Sequence, residues 1–364
     1  MIQLDGSFGE GGGAIVRVAL ALSTITQKPF TVNNIRKGRC DSGLKNQHLY
    51  CVKALQQLCN ADIEGANLGS EHLQYKPGKI EGKTLNIDIE TAGSITLLLQ
   101  ALLLPCFFSD KKVVLKINGG TDVKWSMPFD YFNNILVPQL KKYAYLDVRL
   151  IKRGYYPKGN GLVEITINPK YKLTNSDFEE FNKYLRNEKK EINLLNQHNL
   201  IHIKGISHAS SDLQKAEVAE RQAKAAKIIL ANFKCNKDIR IEYCKTLSTG
   251  SGITLWAIFS EDTEEINLLN PIRIGSDSLG EKGKKAEIVG REAAERLINE
   301  INHKAPVDSY LSDNLIPWMA LFGGKIKVAK LTNHTLTNIY VTEKFLGKIF
   351  NVNKKEKIIS VKSN

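Results

Sequence analysis

The sequence predicts an α/β (α+β) protein in which one supersecondary unit occurs three times and a smaller α/β domain is inserted. An order of helix, strand, turn and helix recurs along the chain, with glycine-containing turns between elements. A polar, charged segment at residues 171–196 interrupts the series between the second and third copies. Because one unit cannot bury the apolar face of its own sheet, we expect three βαβα-type units packed together in a large domain.

The first copy follows a glycine-rich loop. Residues 11–13 are all glycine, and apolar side chains recur at helical spacing from Ile15 to Leu22. These features predict a helix that begins directly after the glycines. The elements predicted for this copy are a helix at 14–26, a strand at 29–35, a basic turn at 36–43 and a second helix at 44–59.

The second and third copies repeat this order with little residue identity to the first. The second copy is predicted to contain a helix at 95–108, a strand at 111–117, a turn at 118–122, a helix at 128–143 and a strand at 146–154. The third copy is predicted to contain a helix at 312–324, a strand at 325–331, a turn at 332–334, a helix at 335–349 and a strand at 356–362.

The region between the second and third copies has a different order. Its predicted elements are a strand at 199–206, a long helix at 213–233, strands at 238–244 and 252–259, and a helix at 284–302. We therefore expect a large domain formed by residues 1–184 and 305–364, with a small α/β domain inserted at 185–304.

The chain is basic, with 51 Lys and Arg against 38 Asp and Glu and a formal charge of +13. A basic surface attracts polyanions because neutralising phosphates releases counterions, although solvating lysines alone give the same balance. No apolar run approaches the length of a membrane-spanning helix, and the N-terminus does not resemble a secretory signal. We therefore expect no membrane contact and a cytoplasmic location.

Two turns contain residues with suitable chemistry for phosphate. His334 lies in a predicted turn at a helix entrance, where a neutral imidazole can attack phosphorus. Glu10 lies in the glycine-rich loop, where backbone N–H groups can approach phosphate and a carboxylate can hold a divalent ion. A surface histidine and an ordinary tight turn are the alternatives. Residues 119–122 (GGTD) occupy the place in the second copy that His334 occupies in the third.

The first copy also contains a set of cationic and polar side chains. Arginine binds phosphate through two parallel hydrogen bonds, so several arginines near a glycine loop could form a phosphate site, but a run of ordinary surface charges explains them equally from position alone. The candidate members are Arg17, Arg36, Arg39, Gln47 and His48.

Taken in order, the motifs resemble those of the RNA 3′-terminal phosphate cyclases. Each motif is weak alone, but the ordered set covers most of the large domain and all three copies. The motifs are GEGGGAIVRVALALSTIT, RKGRCDSGLKNQHL, TAGSITLLLQALLLP, GGTD followed by PFDY, RGYYPKGNG, YLSDNLIPWMAL and NHTLTNIYVTEKFLG.

The resemblance implies a fold and a reaction. The fold has three repeated units, similar to those of the enolpyruvyl transferases, and a smaller insert. The reaction uses ATP to convert an RNA 3′-phosphate end into a 2′,3′-cyclic phosphate. A histidine first takes AMP from ATP and releases pyrophosphate; AMP then moves to the RNA 3′-phosphate, and the adjacent 2′-hydroxyl displaces it.

The resemblance also assigns roles to residues. His334 matches the adenylylated histidine, and Glu10 matches an acid near the ATP phosphates and the divalent cation, Mg²⁺ or Mn²⁺. Asn314 stands where many members have glutamine, and its shorter amide can still hydrogen-bond adenine. The positions implied to bind ATP are Gln100, Pro128, Tyr310, Leu311, Ser312, Asp313 and Asn314. Those implied to bind the reacting phosphates at the RNA end are Arg17, Arg36, Arg39, Gln47 and His48.

Two other functions are compatible with this folding unit. One is a non-catalytic RNA-binding protein of ribosome biogenesis, and the other is a carboxyvinyl transferase. His334 argues against the first, because a catalytically silent protein has no need of a nucleophile there. The ATP-site motifs argue against the second, since a shared fold does not fix function.

Overall fold

The computed structural model describes residues 1–173, 177–262 and 265–362. In the first unit, helix α1 is buried along its whole length, because apolar residues lie on every face of it. The elements of this unit are β1 (Ile2–Asp5), α1 (Ala14–Thr26), β2 (Phe30–Asn33), α2 (Asn46–Cys59), β3 (Asp62–Glu64) and β4 (Leu73–Lys76).

The second unit differs from the prediction in its second helix. The predicted helix at 128–143 is divided, and a π-helical turn forms where the Val137 N–H donates to the Phe132 carbonyl. Pro138 follows and has no N–H to continue the regular ladder. The elements are β5 (Thr84–Asp88), α3 (Ile95–Phe107), β6 (Val113–Gly119), α4 (Phe129–Tyr131), the π-helical turn (Phe132–Leu136), α5 (Val137–Leu140), β7 (Ala144–Lys152) and β8 (Gly161–Pro169).

The rest of the chain contains the insert and the third unit. After α6 (Phe178–Asn187) and β9 (Ile192–Leu194), the insert has β10 (Asn199–Ser210), a 3₁₀ turn (Ser211–Ala216), α7 (Val218–Ile229), β11 (Asn236–Cys244), β12 (Ser251–Ser260), β13 (Ile272–Leu279) and α8 (Ala286–Asn302). The third unit continues with α9 (Leu311–Phe322), β14 (Gly324–Lys327), α10 (Asn333–Leu346), β15 (Phe350–Asn353) and β16 (Ile358–Val361).

Identical sheet topology confirms that the unit is repeated. The three sheets have the orders β1-β2-β4-β3, β5-β6-β8-β7 and β9-β14-β16-β15. In each sheet the first two strands are parallel, and the remaining pairings are antiparallel. The insert forms a fourth sheet of different topology, β11-β10-β12-β13, against which α7 and α8 pack. The α/β fold class predicted from the sequence is therefore correct.

Helices join the units. Helix α1 packs on α10, α3 packs on α2, and α9 packs on the π-helical turn, so the first helix of each unit contacts the second helix of another. Each unit thereby covers its neighbour's apolar surface, as a repeated unit must. Among the described residues, no helix combines the length and apolar character required to span a membrane.

Strand β9 bears on where the insert begins. It lies within the range predicted for the insert, but it pairs in parallel with β14 and is the first strand of the third sheet. Because β9 belongs to the sheet of the large domain, we propose that the insert begins after Leu194 rather than at residue 185. The boundary at residue 304 stays a prediction.

The helix predicted at 213–233 is shorter in the structure. Glu217 has φ of +49° and separates the 3₁₀ turn from α7. The Ala219 N–H at the start of α7 donates to the Tyr243 hydroxyl on β11 at 3.1 Å. A distant side chain thus satisfies a free N–H at the helix start, and local sequence does not reveal such a cap.

A buried ionic network docks the insert on the second unit. Arg153 is 1% exposed, and its two terminal nitrogens lie 3.2 Å from Asp122 Oδ2 and 2.8 Å from Asp130 Oδ2. From the insert, Glu242 Oε2 lies 2.7 Å from Arg153, and His208 Nε2 lies 3.3 Å from Asp122. Although burial opposes it, His208 and Arg153 hold the pKa of Asp122 well below its usual range.

Replacing Arg153 with methionine is expected to destabilise the protein by about 3–5 kcal/mol, because three carboxylates lose a buried cation. Urea unfolding measures this change. Arg149→Met is the control, because Arg149 forms only an exposed pair with Asp147 and should shift the midpoint little. Equal midpoints for the two variants would contradict a structural role for the network.

Candidate active site

The glycine-rich loop at residues 7–13 joins β1 to α1 and lies against α10. Gly9 and Gly11 have φ of +62° and +56°, in the region that favours glycine. A Cβ on Gly9 would lie 2.7 Å from Thr337 Oγ1. Glycine is therefore required at Gly9 both for its conformation and for its close approach to the helix.

The loop runs antiparallel to α10, so successive loop residues contact successively earlier residues on one face of the helix. The rings of Phe8 and Tyr340 stack with centroids 3.8 Å apart. One helical turn earlier, Gly9 meets Thr337. One turn earlier again, Glu10 Oε2 lies 3.1 Å from His334 Nε2. Three contacts spaced by three residues thus fix the loop along the helix.

His334 lies in the first turn of α10. The sequence predicts it in the turn just before this helix, but the helix begins two residues earlier than predicted. The helix begins after Thr332, whose hydroxyl accepts a hydrogen bond from the Thr335 N–H at 3.1 Å. The His334 side chain is 52% exposed, so a ligand can reach its ring. The N-terminal end of a helix favours an anion beside it.

The arginine-bearing turn follows β2 and approaches the same carboxylate. Arg39 Nη2 lies 3.8 Å from Glu10 Oε2. Arg36 donates to the Asp41 carbonyl at 3.2 Å, and its buried Nε has no hydrogen-bond partner among the described residues. Burial and then the neighbouring Arg39 lower the pKa of Arg36, although its guanidinium remains a cation. Two adjacent cations are a suitable binding site for phosphate.

His48 contributes a second imidazole, which is neutral. Its Nδ1 accepts a hydrogen bond from the Lys45 N–H at 2.9 Å, so the ring proton lies on Nε2. Burial, followed by repulsion from Arg17, Arg36 and Lys45, lowers the pKa of His48 to about 3. The buried Nε2–H has no partner among the described residues and is placed beside Gly13. It is a ready donor for an acceptor bound there.

A chain of hydrogen bonds runs from Arg17 to α9. Arg17 Nε donates to Gln100 Oε1 at 2.8 Å, and Gln100 Nε2 donates to Asn314 Oδ1 at 3.0 Å. Asn314 Nδ2 then donates to the Tyr310 carbonyl and to Asp313 Oδ1, at 2.9 and 3.0 Å. Arg17 can only donate, so it determines the orientation of both amides.

A small cavity of about 40 Å³ lies beside this chain. Its walls are mainly apolar, with a few polar groups, as is usual for ligand pockets. Burial raises the pKa of Asp313 to about 6, against the opposing effects of His334 and Arg17. The lining residues are Val18, Ala21, Thr96, Leu99, Gln100, Leu103, Leu104, Met127, Phe132, Leu136, Asp313, Asn314, Pro317, Trp318 and Asn338.

The structure brings together only part of the predicted ATP set. Gln100, Asp313 and Asn314 line the cavity, whereas Pro128 is buried directly after Met127, which lines it. Tyr310 is 55% exposed at the start of α9. These placements do not test the predicted roles.

The next two predicted positions, Leu311 and Ser312, point into the protein. Leu311 belongs to the hydrophobic core, and the Ser312 hydroxyl lies 2.8 Å from Thr335 Oγ1. Gln47 is half-buried in the first turn of α2, directly before His48. The roles predicted for these three residues stay predictions.

Asn338 was not among the residues predicted from the sequence. It lines the cavity, and its amide donates to the Asp313 carbonyl at 2.9 Å. Its position four residues after His334, on the same side of α10, is the signal that could have identified it.

Glu10 is compatible with an ATP-borne divalent ion. The ion Mg²⁺ commonly binds one or two protein carboxylates, with substrate phosphates and water as its other ligands. Glu10 supplies one such carboxylate near Arg39 and His334. Among the described residues, the one group of three possible metal ligands is Asp122, Asp130 and His208, but both of its carboxylates are already paired with Arg153.

The chain is similar to known proteins over nearly its whole length. The family described as RNA 3′-terminal phosphate cyclase matches residues 8–352. A protein of that name from Pyrococcus furiosus is 44% identical over 353 residues, covering 97% of this chain and 95% of the relative. The namesake from Methanosarcina acetivorans is 43% identical and covers 99% of both chains. That from Archaeoglobus fulgidus is 39% identical over 96% of this chain and 97% of its own.

Three repeated units with histidine, carboxylate and arginine side chains gathered at their junction define a phosphate-handling enzyme. The matches over nearly the whole chain specify the class. The chain belongs to the RNA 3′-terminal phosphate cyclase family.

Gly13→Ala is expected to lower cyclase activity about 100-fold, because misplacing catalytic groups by about 1 Å has effects of this size. The new Cβ would lie 2.0 Å from His48 Nε2 and 2.9 Å from Arg17 Nη1. Initial rates on a 3′-phosphorylated RNA measure the effect. The neighbouring Gly12→Ala is the control, since its Cβ meets only Arg39 Nη2, at 3.9 Å. Similar rates for the two variants, at matched thermal stability, would contradict this geometry.

Proposed function

We propose that this protein uses ATP to convert an RNA 3′-terminal phosphate into a 2′,3′-cyclic phosphodiester through a covalent AMP adduct on His334. The observation that supports the proposal is an exposed histidine at a helix N-terminus, with Glu10 3.1 Å from its Nε2 and arginines alongside. The curated relatives that match nearly the whole chain are named for this cyclisation.

In the first step, His334 Nε2 attacks the α-phosphorus of ATP. An N–P bond forms as the P–O bond to pyrophosphate breaks. Glu10 Oε2 lies 3.1 Å from Nε2 and orients the ring, and Nε2 gives up its proton to water before its lone pair attacks. The divalent ion held by Glu10 and the ATP phosphates would neutralise charge on the leaving pyrophosphate.

In the second and third steps, the RNA end replaces the histidine. An oxygen of the RNA 3′-phosphate takes AMP from His334, and the 2′-hydroxyl then attacks the 3′-phosphorus and expels AMP. Activation is needed because a phosphate monoester has no good leaving group. The ring closes readily because the 2′-hydroxyl is already adjacent. Arg17, Arg36, Arg39 and the His48 Nε2–H supply donors for the two phosphates.

The adenine ring is assigned to the cavity beside Gln100 and Asn314. Its apolar walls suit a flat heterocycle, and its polar groups are already oriented by the chain of hydrogen bonds from Arg17. The cavity has a volume of about 40 Å³, which is too small for adenine, so it has to widen when ATP binds. A cytoplasmic location remains a prediction of the sequence.

His334→Ala is expected to abolish protein labelling by ATP carrying a labelled α-phosphate, because no other side chain among the described residues of the site offers an exposed imidazole nitrogen. Wild-type protein incubated with the labelled ATP and Mg²⁺ should retain acid-labile, base-stable label.

The control is His303→Ala, which removes an exposed histidine at the end of α8 and should label normally. Absence of label from well-folded wild-type protein would reject the covalent mechanism and favour a non-catalytic RNA-binding role. Label that persists in His334→Ala would place the adduct elsewhere.

A further inference from the structure

Trp125 is an unusually exposed aromatic residue close to the proposed active site. It is 94% exposed, and its φ of +62° holds a bulky side chain in a region that such residues rarely adopt. The other two tryptophans, Trp256 and Trp318, are buried. An exposed ring held in a strained conformation indicates a requirement other than folding.

The loop that carries Trp125 is held at several points. Met127 accepts a hydrogen bond on its carbonyl from Thr96 Oγ1 at 2.6 Å, which ties the loop to α3. Lys124 Nζ lies 3.0 Å from Glu281 Oε2, which ties it to the insert. The exposure of the ring is therefore a feature of a tethered loop rather than of a free end.

The position of the loop connects it with the reaction. Trp125 precedes Met127, which lines the proposed adenine cavity, by two residues. A second exposed aromatic, Tyr156, is 76% exposed and follows Tyr155, which forms a β-bridge with Asp122. Two exposed rings therefore lie on chain segments that meet at the edge of the same unit.

Positive charge accompanies these rings. Lys158 is exposed two residues after Tyr156, and Lys124, beside Trp125, is exposed and paired with Glu281. The insert loop that holds Glu281 also carries exposed Lys282 and Lys285. Aromatic rings interleaved with lysines suit a single-stranded nucleic acid, whose bases stack while its backbone is neutralised.

We propose that Trp125 and Tyr156 form a stacking platform for unpaired bases just upstream of the RNA 3′ end. The inference rests on the proposed function, because the 3′-phosphate must reach His334. Stacking tolerates any base, so the platform would accept single-stranded ends of varied sequence. It would disfavour an end that is fully paired, since a paired base cannot stack on a side chain.

The test compares Trp125→Ala, Trp125→Phe and Tyr156→Ala with wild type. Each should become labelled normally by ATP alone, because neither ring belongs to the nucleotide site. With single-stranded 3′-phosphorylated RNA, Trp125→Ala should raise Kd and KM about 10-fold, and phenylalanine should largely restore both. Tyr145→Ala is the control. Tyr145 is also an exposed aromatic residue, at 67%, but it lies on strand β7 and outside the two loops of the platform, so its removal should leave RNA affinity unchanged.

A second readout uses fluorescence. Since the remaining two tryptophans are buried, RNA should quench the wild-type emission and leave that of Trp125→Phe unchanged. Unchanged RNA affinity in Trp125→Ala, or quenching that persists in Trp125→Phe, would overturn the platform. So would a change in oligomeric mass with no change in RNA affinity, which would assign the rings to contact with a second copy. RNA binding is measured without ATP, so failure of the histidine adduct would be recognised separately.

Discussion

The approach of the glycine-rich loop to helix α10 places the two ends of the chain in one site. Only a residue without a side chain can lie where Gly9 meets Thr337 Oγ1. This contact brings Glu10 within 3.1 Å of His334. The same loop ends at Gly13, where the missing Cβ leaves room for His48 and Arg17. A shift of the loop would therefore disturb both the contact between Glu10 and His334 and the positions of His48 and Arg17.

Polar groups around this loop are arranged before any ligand arrives. The Lys45 N–H fixes the His48 tautomer, and Arg17 fixes the amides of Gln100 and Asn314. Groups oriented in this way need little rearrangement when charge develops on a phosphate, which is how preorganised sites lower a barrier. The chain also joins a residue of the phosphate set to the cavity assigned to the base.

Local patterns were sufficient for the repeated helices and strands but not for their contacts. Helix α1 and helix α3 begin where the sequence predicts, because apolar spacing and the glycine or serine before each helix are local signals. The interruption at Glu217 is accompanied by a long-range contact, because the hydroxyl of Tyr243 on β11 accepts a hydrogen bond from the Ala219 N–H at the start of α7. Strand β9 has three residues and is defined by its partner β14, so its own sequence is too short to predict it.

The same limit applies to the candidate site. The loop, the arginine turn and His334 could be identified from residue types that suit phosphate. Which residues of the run from Tyr310 to Asn314 face a ligand depends on how α9 packs. Leu311 turns into the core, whereas Asn314 meets Gln100 from the second unit. That contact joins residues 214 positions apart, and no spacing within the sequence indicates it.

The segments that follow the second strand of each unit carry different residues, and the insert covers one of them. The segment after the second strand carries Arg36 and Arg39 in the first unit and Asp122 in the second, whereas in the third unit His334 lies at the start of the helix that follows. In the second unit, the insert covers this turn and pairs Asp122 with His208. The threefold arrangement thus becomes asymmetric: one turn holds the insert, and the other two meet across Glu10, whose carboxylate lies near both Arg39 and His334.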